Sequence, residues 1–209
     1  MAELVVTSDI AASATEEFLR LAPRIVALAG GRTPRVFYER LTGVDYTWAG
    51  VEVLFTDERC VPPDHPDANF RMIEEALLSG LDPRPRIHRM PGESCEAETV
   101  EASLRGTFGE LRLDIAVLGL GADGHTASLF PGDPLLDERV RWVGRVERPD
   151  HPRLTLTLPV LSTSRLALFL VTGPEKRPSL QRFLAGDDIP ASRVEAERVL
   201  VLADPSAAG

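Results

Sequence analysis

Short apolar runs alternate with amphipathic stretches along nearly the whole chain, and that alternation constrains the fold more than any other feature. The runs Leu4–Thr7, Arg24–Ala29, Val51–Phe55, Ile115–Leu118, Leu166–Val171 and Arg198–Leu202 have strand length and composition. Val140–Val146 and Leu154–Leu158 read as further strands, with a weaker one around Ile87. Between them the spacing predicts helices over Asp9–Ala22 (Thr7 or Ser8 as N-cap), Pro34–Leu41, Asn69–Leu78 (Asn69 as cap), Glu96–Phe108 and Pro174–Leu184. Apolar strands separated by helices indicate a mainly parallel sheet buried on both faces. The expected class is therefore α/β: a three-layer, Rossmann-like, mainly parallel sheet with helices on both faces, plus a small additional strand region. At 209 residues the chain reads as a single domain spanning 1–209, with an Ala-Gly tail that frays.

Composition narrows the class of partner. The formal net charge of −9 argues against a non-specific nucleic-acid binder, which needs a basic surface. No apolar run approaches the roughly 18 residues of a membrane span, and the Met-Ala-Glu start lacks a secretory pattern, so a cytoplasmic protein is expected. The two cysteines, Cys60 and Cys95, form no C-x-x-C motif and predict reduced thiols. The histidines at 65, 88, 125 and 151 are scattered with no helical pairing, so no zinc-site pattern is present. Arginines number 22 against a single lysine, Lys176, whose survival of that bias asks for a reason.

Four unusual loops each follow a strand, which in a parallel sheet brings them to the ligand-binding edge. Ala29-Gly30-Gly31-Arg32-Thr33-Pro34 turns sharply into a helix and offers backbone N–H groups, a hydroxyl and a cation. A tight strand-to-helix connection would look the same. In Thr56-Asp57-Glu58-Arg59, either Asp57 or Arg59 can face inward, while Glu58 reads as a solvated partner in a surface ion pair. The third loop, Gly119 to Pro131, holds Asp123 and His125 among three glycines, a placement suited to proton transfer. Its Gly119-Leu-Gly121-Ala-Asp-Gly124 matches a dinucleotide pattern, but Pro131 and Gly132 follow too soon for the required helix. The fourth, Gly173-Pro174-Glu175-Lys176, sets a cation in the first turn of a helix, which suits an anionic ligand at that terminus. Together the loops predict a phosphorylated small molecule undergoing proton-assisted chemistry.

Six motifs carry a resemblance over nearly the whole chain: L-A-G-G-R-T-P (28–34), T-D-E-R-C-V-P (56–62), A-N-F-R (68–71), L-G-L-G-A-D-G-H-T-A-S-L-F-P-G (118–132), R-L-T-L-T (153–157) and V-T-G-P-E-K (171–176). The chain resembles the family of 6-phosphogluconolactonases and glucosamine-6-phosphate isomerases/deaminases. His125 matches both branches, and Ser128-Leu129-Phe130 matches the lactonases. The resemblance implies hydrolysis of 6-phospho-D-glucono-1,5-lactone, with neither cofactor nor metal, and His125 as the general base. It implies that Asp123 or Asp57 orients the histidine or a substrate hydroxyl, and that Arg59 stabilises negative charge or holds the sugar. Gly30, Gly31, Arg32, Thr33, Lys176 and Arg153 would hold the phosphate, with Asn69 also at the substrate. Ala29 and Arg32 stand where the family commonly has serines, and Ala68 precedes Asn69 where a serine is familiar.

A sugar-phosphate isomerase/deaminase, with Asp57 abstracting a proton beside the carbonyl, is the alternative on the same scaffold. A non-catalytic sugar-phosphate sensor is the second, disfavoured because a sensor has no use for His125 and Asp123. The expected partner is the sugar lactone alone, bound by a monomer or weak homodimer, with no nucleic acid and no membrane.

Overall fold

The computed structural model describes residues 2–209. Its elements run β1 (Glu3–Val6), α1 (Ile10–Leu21), β2 (Ile25–Leu28), α2 (Arg32–Leu41), β3 (Glu52–Phe55), β4 (Asp57–Arg59), α3 (Asn69–Ala76), β5 (Arg86–His88), α4 (Ala97–Phe108) and β6 (Ile115–Gly119). They continue β7 (Val143–Val146), β8 (Arg153–Leu156), α5 (Leu158–Leu161), β9 (Leu166–Val171), α6 (Arg177–Ala185), β10 (Arg198–Ala203) and α7 (Pro205–Ala208). Seven strands form one sheet in the order β1-β10-β9-β6-β2-β3-β5, and every pairing in it is parallel. Antiparallel β4, β8 and β7 make the small second sheet.

The three layers follow from alternation along the strands. Ala27, Ala116, Leu118, Ala167, Phe169 and Val201 point into one core, with α4, α5, α6 and the small sheet. Val26, Leu28, Ile115, Val117, Leu168 and Leu200 point into the other, with α1, α2 and α3. Because both faces are covered, the inner strands need apolar residues at every position, and β9 is buried throughout. No helix among the described residues is long and apolar enough to cross a membrane.

Several expectations need correction. Asp9, not Thr7 or Ser8, caps α1, accepting the Ala12 N–H at 2.8 Å. Asn69 is the first residue of α3 and not its cap, because its side chain turns back to the Asp57 carbonyl. The tail does not fray: Asp204 accepts the Ala207 N–H at 2.7 Å and starts α7. Cys60 and Cys95 are joined in a disulfide across a separation of 35 residues. Sequence spacing could not show this, because β4 and the segment before α4 meet only in the folded chain.

Glu58 is the largest correction. Expected as a solvated turn residue, it is 3% exposed. Its carboxyl accepts the N–H groups of Arg59 (2.8 Å), Asn69 (2.6 Å) and Phe70 (2.7 Å), and so supplies the cap that α3 otherwise lacks. Burial pushes its pKa up to about 7, against those three hydrogen bonds and with a small push from Asp57. A folded pKa raised above the unfolded value of 4.5 gives a contribution that is full below pH 4.5 and lost as pH rises through about 7. Denaturant unfolding across that window should show a falling stability that Glu58→Gln flattens. The same variant should be less stable at pH 5 by about 1–3 kcal/mol, since a buried N–H loses its acceptor.

Candidate active site

The carboxyl ends of the parallel strands open into a cavity of about 720 Å³. Gly30, Gly31, Arg32, Thr33, Asp57, Arg59, Asn69, His125, Arg153 and Lys176 all line it, so the four loops and β8 converge as the topology requires. Asp123 is hydrogen-bonded to His125 but is not itself in the lining. The β1 loop (Ser8, Asp9), Thr172 and Asp204 also line the cavity, and none of them has a role at the site in the reading of the sequence, Thr172 standing only as a member of the V-T-G-P-E-K motif. A serine, a threonine and two aspartates after apolar runs look like ordinary caps, and Asp9 and Asp204 are indeed caps.

At one end is a helix terminus prepared for an anion. The N-cap of α2 is Gly31, at φ 113°, and no side chain caps the helix. Its first N–H groups are therefore free to meet a ligand. Thr33 Oγ1 lies 2.6 Å from Thr172 Oγ1, tying this turn to the loop that carries Lys176. Asp204 anchors that second loop by accepting the Gly173 N–H. Burial opposes ionisation of Asp204, but the hydrogen bonds from Ala207, Ser206 and Gly173 outweigh it and hold the carboxyl below its usual range.

The turn leaves no room for a side chain at Gly30. A Cβ there would lie 1.8 Å from Asn69 Oδ1. Asn69 in turn donates from Nδ2 to the Asp57 carbonyl at 2.9 Å. Asp57 is 6% exposed and its Oδ2 accepts the Ser128 hydroxyl at 2.6 Å. Thr56 adds a hydroxyl to its other oxygen at 3.2 Å. With Asn69 Nδ2 also 3.4 Å from Oδ1, the carboxylate is held by Ser128, Thr56 and Asn69, and it makes no hydrogen bond to His125.

Asp123 is the aspartate that meets the histidine. Its Oδ1 lies 2.6 Å from His125 Nδ1 and also accepts the His125 N–H at 3.1 Å. Burial works against the charge on Asp123, yet its bonds to His125 hold the carboxyl below its normal value. The ionised carboxylate accepts the Nδ1 proton, which leaves Nε2 as the ring's lone-pair nitrogen. The loop is fixed by Gly121 N–H to the His125 carbonyl (2.8 Å), Thr126 Oγ1 to the Gly119 carbonyl (2.9 Å) and Ala191 N–H to the Gly124 carbonyl (3.1 Å). The imidazole packs on Phe130 at a centroid distance of 4.6 Å, and the Arg148 guanidinium covers that same ring at 3.9 Å.

Arg59 and Arg153 are register partners on antiparallel β4 and β8. Like charges directly opposite one another are destabilising. Arg59 Nη1 donates to the Asp67 carbonyl at 2.7 Å and Arg153 Nη2 to Asp150 at 2.7 Å, but the Nε of each is buried without a partner. An unmet buried donor costs about 1–3 kcal/mol. Both side chains line the cavity, so it presents two guanidinium groups on one wall. Arg153, which the resemblance assigned to a phosphate, lines the cavity with its guanidinium 5.6 Å from the Phe130 ring that packs on His125.

Away from the cavity lining, the structure revises the reading of scattered histidines. His65, Asp67 and His151 come together with one ligand atom of each inside a 4.8 Å span.

A cavity at the strand ends, with an uncapped helix terminus, paired arginines and an Asp–His dyad, places the chain among α/β proteins whose site lies beyond the carboxyl ends of a parallel sheet. A family model described as glucosamine-6-phosphate isomerases/6-phosphogluconolactonase matches residues 4–202. The chain is 39% identical over 176 residues to the 6-phosphogluconolactonase of Synechocystis sp., covering 79% of this chain and 73% of that one. It is 36% identical over 182 residues to the 6-phosphogluconolactonase of Thermotoga maritima, covering 84% and 81%. The crystal structure of 6-phosphogluconolactonase from Thermotoga maritima superposes with a TM-score of 0.85 over 98% of each chain, at 30% identity. This chain belongs to the glucosamine-6-phosphate isomerase/6-phosphogluconolactonase family.

Proposed function

We propose that the chain hydrolyses 6-phospho-D-glucono-1,5-lactone to 6-phospho-D-gluconate, the second step of the oxidative pentose phosphate pathway. The observation that carries this reading is the His125–Asp123 dyad, 2.6 Å apart, on a cavity that also holds an uncapped helix terminus and two arginines with unmet donors. The phosphate sits on Gly30, Gly31, Arg32, Thr33 and Lys176. The lactone carbonyl lies toward His125, with Arg59 and Arg153 near the oxygen that gains charge.

A water molecule hydrogen-bonded to His125 Nε2 attacks C1, and its proton passes to Nε2 as the C–O bond forms. Asp123 keeps the ring in the correct tautomer and balances the imidazolium. The negative charge collects on the former carbonyl oxygen, within the field of the guanidinium groups. The C1–ring oxygen bond then breaks, and the proton on Nε2 passes to the departing oxygen. That leaves a free hydroxyl and a carboxylic acid, which ionises at neutral pH. Asp57 and Asn69, fixed to one another, orient a sugar hydroxyl.

Against the isomerase/deaminase reading stands the carboxylate it requires. Asp57 Oδ2 is occupied by Ser128, one of the three residues that mark the lactonase motif. The two are told apart by deuterium from solvent. Exchange into glucosamine 6-phosphate or fructose 6-phosphate supports the deaminase, and acid release from the lactone without exchange supports the lactonase. Lys176→Ala should raise KM roughly tenfold or more with kcat little changed, since a phosphate contact serves ground state and transition state alike. A fall in kcat at unchanged KM would contradict its phosphate role. The same reading takes 1–209 as one domain, acting in the cytoplasm as a monomer or weak homodimer with the sugar lactone as its partner.

A further inference from the structure

His65, Asp67 and His151 form a cluster that the lactonase reading does not use. Their backbones are tightly placed. His65 lies in the turn after β4, with its N–H on the Pro62 carbonyl at 3.0 Å and its own carbonyl accepting the Ala68 N–H at 3.0 Å. Arg59 holds the Asp67 carbonyl at 2.7 Å. His151 precedes β8, and the next residue, Pro152, accepts the Cys60 N–H at 2.8 Å. Because β4 and β8 are hydrogen-bonded in register, two histidines 86 positions apart (151 − 65) are delivered to the same place.

The side chains then converge with the geometry of metal ligands. Asp67 Oδ2 lies 3.1 Å from His151 Nε2 and 3.8 Å from His65 Nδ1. The two imidazoles meet edge to face, with centroids 5.5 Å apart and planes at 78°. A tetrahedral ion with bonds of about 2.0–2.2 Å sets its ligand atoms roughly 3.3–3.6 Å apart, and the two contacts to Asp67, at 3.1 and 3.8 Å, bracket that spacing while all three ligand atoms lie within 4.8 Å of one another. His65 Nδ1 accepts the Asp67 N–H at 3.1 Å, so its lone pair is directed at that backbone amide and is not taken by another side chain. An incoming cation replaces that bond and the contact between His151 and Asp67.

We infer that His65, Asp67 and His151 bind a divalent transition-metal ion, zinc above others, with the remaining coordination position open to water. Two imidazoles and one carboxylate suit zinc, copper or nickel and exclude magnesium and calcium, which prefer oxygen ligands. All three side chains retain solvent access, with relative exposures of 38%, 57% and 31%, so the ion needs no opening of the fold to enter.

The test is equilibrium dialysis of the tag-free full chain against micromolar zinc chloride, with bound metal counted by elemental analysis. One ion per chain is expected. His65→Ala and His151→Ala should each weaken binding at least tenfold, and His88→Ala should leave it unchanged. Thermal melts of the metal-free variants verify that each remains folded. Cobalt gives a second readout: the wild type should develop the intense visible absorption of a four-coordinate ion, and the variants should not. Failure to bind zinc at 100-fold excess, or binding undiminished in both histidine variants, would overturn the assignment. Lactone hydrolysis plays no part in the readout, so the metal site and the lactonase reading stand or fall separately.

Discussion

His125→Ala should lower kcat for lactone hydrolysis by about 10²–10⁴, the usual worth of a positioned general base. The variant should still bind 6-phosphogluconate with near-normal affinity. The groups proposed to hold the phosphate belong to other elements, and the loop that carries His125 is held by backbone bonds from Gly121 and Ala191 that do not involve the imidazole. A protein that lost turnover and product affinity together would point to collapse of the cavity. Normal turnover would remove His125 from the chemistry. Single-turnover kinetics and calorimetric titration with product separate these outcomes.

Gly121→Ala should be nearly as damaging although the residue carries no chemistry. A Cβ at Gly121 would lie 2.0 Å from His125 Nδ1 and 2.6 Å from Asp123 Oδ1. Real Cβ atoms do not approach that closely, so the imidazole or the carboxylate must leave its place. The 2.6 Å contact between Asp123 and His125 is then lost, along with the tautomer it selects. A displacement of about 1 Å can cost on the order of 10²-fold in rate. The expected result is a folded protein with a melting temperature within a few degrees of wild type, kcat reduced by about 10² and KM nearly unchanged. Wild-type activity in Gly121→Ala would show that the close packing of this loop is not what positions the base.

What could be read in advance divides along physical lines. Strand positions were legible because β2, β6, β9 and β10 are buried on both faces and need continuous apolar runs, which periodicity reports directly. The site loops were legible because binding sites in such sheets lie beyond strand ends, and glycines there mark close approach. In the fold, Gly30 makes room for the Asn69 side chain and Gly121 for that of His125. Features made by tertiary contact were not. Glu58 reads as a charged turn residue, since nothing local says that α3 will place three N–H groups around it. The Cys60–Cys95 disulfide and the His65–Asp67–His151 cluster join segments that are distant in sequence. The partnership of Asp123 with His125, left open between two aspartates, was decided by Ser128 and Asn69, which hold Asp57 elsewhere.

The most direct measurement is the hydrolysis of freshly generated 6-phosphogluconolactone, coupled to 6-phosphogluconate dehydrogenase and read above the spontaneous rate. Wild-type protein should accelerate product formation in proportion to enzyme concentration, and His125→Ala should return the rate close to background. A wild-type protein that binds 6-phosphogluconate yet leaves the spontaneous rate unchanged would contradict the lactonase assignment.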